Sequence, residues 1–417
     1  MKSYIIEGGK MLHGEVDISG SKNASLPIIA ATILNGNITK LYNVPKIWDT
    51  KITLEILKIL GCKIKVIHGR IEINSKNINK TEIPENMMRQ LRSSIVLAGA
   101  ILGRYKKVKF SYPSGCEIGA RPIDLHLAAF KKLGIEVEEN SGFICCKCDK
   151  IVGANINLDF PSVGATENII LATVLAEGIT TINNAAMEPE IVDLCNFLNK
   201  MGAKVYGAGT KLIKIIGVEK LKSANYNIMP DRIEAGTFLC AAAVTGSNIK
   251  INNVIANHLV PVLHKLEEAG CKIYEENKQL YIQGPKKLKA IEIKTMPYPG
   301  FPTDLQQIFG SMLTTAKGTS VIIESIFENR FKYVSELQRL GAKITVEGKM
   351  AVIDGKRKLT GATVKSYDLR GGAGLIVAAL AAKGRTKIEN IEYIFRGYEN
   401  LDEKLRKIGV NIKEVGD

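Results

Sequence analysis

Residues 113–127 read PSGCEIGARPIDLHL and say more about chemistry than any other stretch of the chain. Cys116 sits between Gly115 and Gly119, and Arg121 follows five residues on. Pro122 then opens an apolar helical pattern with Asp124 in its first turn. Proline suits a helix start, and acids favour that end. A thiol on a glycine-flanked loop, beside a guanidinium and running into a helix N-terminus, is biased toward thiolate and so toward reactivity. A glycine-rich turn whose cysteine merely fills space has the same letters. The segment alone leaves both readings open.

Four further polar groupings interrupt otherwise apolar stretches. Ser19–Ser25 reads SGSKNAS and sets Lys22 and Asn23 just ahead of an apolar helix, where an anion could be held. Arg92, Arg121, Arg330, Arg370 and Arg396 stand in loops or at helix starts. Guanidinium forks match carboxylate and phosphate, so a ring of cations around anionic ligands is one expectation. Pairing of individual arginines with local acids such as Glu328 or Asp368 is the other. Asp304 in GFPTDLQQ either complements a helix N-terminus or accepts a proton from a substrate hydroxyl. PSVGATEN, residues 161–168, is a small-residue turn ahead of a buried helix whose amides could hold an anion.

The elements that must position these residues recur. A helix ending in an apolar residue, then glycine, then a strand appears six times, at Gly61, Gly134, Gly202, Gly270, Gly341 and Gly409. The spacing is about 70 residues, the mark of an internal repeat. A glycine just past a helix supplies the left-handed cap. Between these marks lie six helices apolar almost all round, such as LPIIAATIL and AGLIVAALAA, which should be buried. The later helices, such as DLHLAAFKKL and LDEKLRKI, are amphipathic. CKIKVIHGRIEI, VYGAGTKLIKII and AKITVEGKMAVI read as hairpins. The sixth copy stops at IKEVGD without its hairpin, so the N-terminal pair in YIIEGGKMLHGEVDI is expected to complete it. An α/β chain of six βαβαββ-type units follows, three per domain. One domain spans residues 22–229, and the other is discontinuous, 1–21 with 230–417. The chain crosses twice, near GSKN and near MPDRIE, and the active site is expected in the cleft between the domains.

Composition narrows the class. At 417 residues the chain exceeds one ordinary core, and its 46% hydrophobic content is that of a globular protein. No stretch has the length of a membrane span, and the N-terminus shows no secretion signal, so a cytoplasmic location is expected. The net charge of +15 is spread out rather than gathered into a stripe, which argues against nucleic acid and suits anionic small substrates. The eight cysteines show no disulfide framework, and FICCKCDK lacks the second ligand pair of a zinc site. No cofactor, metal or obligate protein partner is indicated.

GSKNASLP, PSGCEIGARPIDLHL, PSVGATENI, EPEIVDL, PDRIE, FPTDLQ, FENRF, DLR and RGYE, in this order along the whole chain, resemble the UDP-N-acetylglucosamine 1-carboxyvinyltransferases. These are enolpyruvyl transferases of bacterial peptidoglycan synthesis. The resemblance implies a two-domain inverted α/β barrel. It implies transfer of the enolpyruvyl group of phosphoenolpyruvate to the 3′-hydroxyl of UDP-N-acetylglucosamine through a tetrahedral ketal, with roles in cell wall biogenesis, cell shape and cell division. By position, Cys116 matches the residue that protonates the C3 methylene, binds phosphoenolpyruvate covalently and is alkylated by fosfomycin. Asp304 matches the base near the sugar hydroxyl. Lys22, Arg92, Arg121, Arg370 and Arg396 match the cations around phosphoenolpyruvate, Lys22 being a catalytic candidate as well, and Arg330 in FENRF is a further substrate-binding candidate. Asn23, Arg121, Pro122, Ile123, Asp124, Leu125, Ser162, Val163, Gly164, Asp304 and Ile326 match positions lining the nucleotide sugar.

Three positions depart from the family pattern. Met187 stands where relatives commonly carry Arg or Lys, implying a missing ion pair. Phe160 replaces a Lys of some relatives, implying a lost nucleotide contact. The extra glycines of DLRGGAGL imply a looser Arg370. The nearest alternative is 3-phosphoshikimate 1-carboxyvinyltransferase, which the cysteine loop and GSKN rather than GSKS disfavour. A catalytically silent nucleic-acid-binding repeat protein is the alternative of another class.

Overall fold

The computed structural model describes residues 2–112, 123–355 and 358–416. They form two compact units. One comprises the residues up to Ser19 and those from Pro230 onward; the other lies between Gly20 and Met229. Each has its own apolar core.

In the first unit three helices, Arg232–Thr245, Thr303–Leu313 and Leu369–Ala381, pack against one another. All three are buried on nearly every side, which is why their sequences lack a polar face. Three four-stranded sheets accompany them. Strands such as Thr319–Ile323 alternate, burying Ser320 and Ile322 while Thr319 is exposed. The second unit repeats the scheme around Lys22–Ala31, Val96–Tyr105 and Val163–Thr173. It has two four-stranded sheets and one three-stranded sheet among the described residues. In the latter, a single parallel bridge from Glu82 to Lys109 stands where the fourth strand would be.

The six marker glycines all have positive φ, between 79° and 114°. Each reverses the chain in a conformation a side chain would strain, so the repeat period has a backbone cause. The three hairpins form at Lys63–Asn74, Lys204–Ile216 and Lys343–Asp354.

The N-terminal strands depart from expectation. Ser3–Glu7 does complete the sixth copy's sheet, lying antiparallel between Arg385–Glu389 and Asn411–Val415. Glu15–Asp17 does not join it. It pairs in parallel with Asn248–Asn252 in the fourth copy's sheet. Asn225–Asn227, which precedes the fourth copy's helix, pairs instead with Ile38–Tyr42 of the first copy. At both crossings the short leading strand thus stays in the unit the chain is leaving.

These short strands are pinned by a recurring asparagine. Asn43, Asn184 and Asn253 adopt φ near +55° after a central strand. Their side chains donate to the carbonyls of Ile228, Leu158 and Ile18, at 2.8, 2.8 and 2.7 Å. Asparagine tolerates this backbone and brings its own donor. At the first and third of these sites the carbonyl lies just ahead of a crossing.

Candidate active site

Asp304, Arg330 and Arg370 form a buried ionic cluster in the first unit. Arg330 Nη2 donates to Asp304 Oδ1 at 2.7 Å and to the Thr303 carbonyl at 3.3 Å. Arg370 reaches the other carboxylate oxygen, Oδ2, at 3.1 Å through Nη2 and 3.3 Å through Nε. Both guanidiniums are almost wholly buried. Burial works against the charge of Arg370, but Asp304 and its other partners outweigh this and hold its pKa above the ordinary arginine value. Arg330 stacks over the Phe327 ring and Arg370 over the Tyr398 ring. One nitrogen of each, Arg330 Nε and Arg370 Nη1, has no hydrogen-bond acceptor among the described residues. Two oriented cations with donors in reserve against one carboxylate can hold an anion and a hydroxyl side by side.

Asp304 follows Thr303, the first residue of its helix, whose N-cap is Pro302 without a side-chain cap bond. Its carboxylate therefore serves the two arginines. Arg370 is fixed from its own helix start, where Asp368 is the N-cap and accepts from the amides of Arg370 and Gly371. Asp368 also accepts from Gln307 at 3.0 Å. Local pairing of arginine with acid was expected at Glu328 or Asp368, but the guanidiniums go to Asp304. The glycines after Arg370 do not loosen it. A Cβ on Gly372 would meet Ser366 Oγ at 2.5 Å, and one on Gly374 would meet the Gln307 carbonyl at 2.9 Å, so they permit close packing. Arg396 ends the short helix Ile391–Arg396 and is half-buried. Its neighbour Gly397 packs on Leu369, and Tyr398 lies under Arg370.

A single side chain ties this region together. Glu324, fully buried at the end of strand Thr319–Ile323, accepts from Thr295 Oγ1, Ile326 N and Phe327 N at 2.9, 2.9 and 3.1 Å through Oε1. Its Oε2 accepts from Thr303 Oγ1 at 2.9 Å. Ile326 is half-buried in the loop so held. In the sequence Glu324 is one acid at a strand end and carries no spacing signal.

The second unit holds the remaining described candidates. Ser21 caps the Lys22–Ala31 helix by accepting from Ala24 N. Lys22 Nζ lies 2.8 Å from Asp49 Oδ2, a carboxylate only 1% exposed. Lys22 and Asn23 are both half-buried. Ser162 likewise caps Val163–Thr173 by accepting from Ala165 N. The amides of Val163 and Gly164, in that first turn, have no intrahelical acceptor. Helix Asp124–Lys132 is brought to this turn: a Cβ on Gly164 would meet His126 Cε1 at 3.1 Å. Asp124 is exposed, Leu125 half-buried and Ile123 buried. His126 is buried, and Arg92, half-buried, lies near enough to act on its charge. Burial, then Arg92, lowers the imidazole pKa to about 4. His126 lies inside PSGCEIGARPIDLHL, but a single histidine there has no partner at a telling spacing in the sequence.

Cys116, Arg121 and Pro122 lie outside the described residues. Of the departing positions, Phe160 is 44% exposed and Met187 half-buried.

Residues 6–405 match the family model described as EPSP synthase (3-phosphoshikimate 1-carboxyvinyltransferase). Among solved structures, the enolpyruvyl transferase NikO from Streptomyces tendae superposes with a TM-score of 0.90 at 23% identity, covering 99% of each chain. EPSP synthase from Acinetobacter baumannii gives 0.80 at 19% identity, covering 100% of each. At these identities the likeness speaks for the fold, that of the enolpyruvyl transferases. Sequence relatives are much nearer. UDP-N-acetylglucosamine 1-carboxyvinyltransferase 2 of Caldanaerobacter subterraneus subsp. tengcongensis is 51% identical over 416 residues, covering 100% of both chains. The Clostridium botulinum protein named UDP-N-acetylglucosamine 1-carboxyvinyltransferase is 47% identical over 414 residues, covering 99% of both. With half its residues shared from end to end, the chain belongs to the UDP-N-acetylglucosamine 1-carboxyvinyltransferase family.

Proposed function

We propose that this protein transfers the enolpyruvyl group of phosphoenolpyruvate to the 3′-hydroxyl of UDP-N-acetylglucosamine and releases phosphate, the first committed step of peptidoglycan synthesis. The observation that carries this reading is the 51% identity, over the full length of both chains, to a protein bearing that enzyme's name. Likeness to EPSP synthase at 19% identity supports a common fold and not a shikimate substrate.

In the addition step the sugar hydroxyl oxygen bonds to C2 of phosphoenolpyruvate while a proton reaches C3, giving the tetrahedral ketal. In the elimination step C3 returns a proton and the C2–O bond to phosphate breaks, its electron pair leaving with phosphate. Cys116 delivers the C3 proton, and Asp304 takes the hydroxyl proton. Lys22, Arg92, Arg121, Arg370 and Arg396 hold the carboxylate and phosphate of the donor, with Arg330 steadying Asp304. Asn23, Pro122, Ile123, Asp124, Leu125, Ser162, Val163, Gly164 and Ile326 line the nucleotide sugar.

Two features support these roles. Asp304 accepts from two buried guanidiniums, each with one nitrogen that finds no acceptor among the described residues. The capped turn at Ser162 leaves first-turn amides open to a diphosphate. The reaction calls on no metal or organic cofactor and on no protein partner. A cytoplasmic location belongs to this proposal, because its substrates are found there; among the described residues no helix is long and apolar enough to cross a membrane.

Phosphate release from phosphoenolpyruvate, with UDP-N-acetylglucosamine, with shikimate 3-phosphate and with neither, tests the reading. Release that depends on the nucleotide sugar alone is expected. Release with shikimate 3-phosphate alone would overturn it.

A further inference from the structure

We infer that Glu324 is a positioning residue for the proposed reaction, setting the proton-accepting carboxylate of Asp304 and the sugar-facing loop at Ile326 in register with each other. This rests on the transferase reading above. Glu324 touches neither substrate position itself. It is fully buried, and all four of its acceptor contacts go to groups that frame the site.

The contacts divide in an informative way. Oε2 takes the hydroxyl of Thr303, the residue directly before Asp304. Oε1 takes the amides of Ile326 and Phe327, which open the loop leading to Arg330. The fourth contact, from Thr295 Oγ1, anchors the carboxylate to the neighbouring strand end. Thr295 also accepts from Ser325 N and, through its carbonyl, from Ser325 Oγ. One carboxylate therefore links the helix that carries Asp304 to the loop that carries Ile326, and that same loop returns Arg330 to Asp304 at 2.7 Å. The circuit closes on Asp304 from two directions.

A neutral amide keeps these contacts only with its oxygen at the Oε1 position and the Thr303 hydroxyl turned from donor to acceptor, and it loses the charge that strengthens each of them. The side chain has the same size, so the packing is retained while the contacts that hold the register are weakened. Small displacements of an acid–base group cost far more in turnover than in ground-state binding.

The experiment compares Glu324→Gln, Thr303→Val and Thr303→Ser with wild type, measuring kcat, KM for each substrate and thermal midpoint. Glu324→Gln is expected to lose about 10- to 100-fold in kcat with an unchanged KM for phosphoenolpyruvate. Thr303→Val is expected to lose turnover in the same pattern to a smaller degree, and Thr303→Ser to restore it. If Glu324→Gln folds with wild-type kcat, the inference is wrong. It is equally wrong if Thr303→Val turns over like wild type, and the threonine pair decides the matter even where Glu324→Gln does not fold. Wild-type turnover with UDP-N-acetylglucosamine tests the transferase reading separately, since the inference is read from ratios among variants.

Discussion

His126 Nδ1 lies 2.7 Å from the side-chain nitrogen of Asn168. The Asn168 oxygen is already taken by Gly99 N at 2.7 Å, which fixes the amide's orientation and makes its nitrogen the donor. Nδ1 is therefore the acceptor, and the neutral ring carries its proton on Nε2, the nitrogen that a Cβ on Gly164 would approach to 3.3 Å.

This arrangement has a pH signature. Unfolded imidazole takes its proton near pH 6.5 and the folded one only at about 4. Stability is thus fully present above the upper value and is lost as pH falls through that window, by about 3 kcal/mol in all. Replacing His126 with Gln should remove that share of the acid loss. Urea midpoints near pH 7.5 and about pH 5 measure it; equal acid losses in the two proteins would show that His126 titrates normally.

Ser19, Glu234 and Lys404 form a second buried polar group beside a chain crossing. Lys404 Nζ donates to Glu234 Oε1 at 2.5 Å and to Ser19 Oγ at 2.6 Å, while Ser19 N donates to Glu234 Oε2 at 2.8 Å. Burial raises the Glu234 pKa to about 7 against the pull of Lys404. Lys404→Met leaves that carboxylate without its cation and should cost about 3–5 kcal/mol. Adding Glu234→Gln should recover part of the loss. Denaturant melts of the two single variants and the double variant give the coupling, and additive losses would mean that the pair does not act as a unit.

At Asp304, Arg330→Lys exchanges a planar fork for a point charge at a site where one nitrogen reaches both the carboxylate and the Thr303 carbonyl. Turnover should fall by about 10- to 100-fold while the nucleotide sugar still binds. Calorimetric titration of the nucleotide sugar beside steady-state kinetics separates the two effects.

Cys116 is open to direct chemical test. Cys116→Ser should lose most turnover and keep nucleotide-sugar binding. Cys116→Asp should stay active and escape fosfomycin, which should inactivate the wild type by alkylating this thiol. Mass spectrometry of the treated protein locates the adduct, and modification at any other cysteine would remove Cys116 from that role.

The six repeats were legible because Gly61 and its five counterparts combine a compulsory backbone conformation with a fixed spacing. The exchange of short strands was not. Glu15–Asp17 and Asn225–Asn227 are three residues each, too short to carry a periodicity, and their partners are chosen by Asn253 and Asn43, whose side chains reach across more than 180 residues. Asp304, Arg330 and Arg370 could be named individually from their loop and helix-start positions. Their mutual pairing could not, because arginine and carboxylate 26 and 66 residues apart leave no local trace. Glu324 and Asp49 were silent for the same reason: a buried acid shows its purpose only through the donors around it.

The strand Ser3–Glu7 lies between Arg385–Glu389 and Asn411–Val415. During synthesis both partner strands leave the ribosome more than 370 residues after it. The Gly20–Met229 unit can assemble as it emerges. Ser3–Glu7 must wait, without its partner strands, until those residues have emerged. Completion of the first unit therefore follows synthesis of the whole Gly20–Met229 unit, and until then the strand offers unpaired donors and acceptors to any other strand it meets.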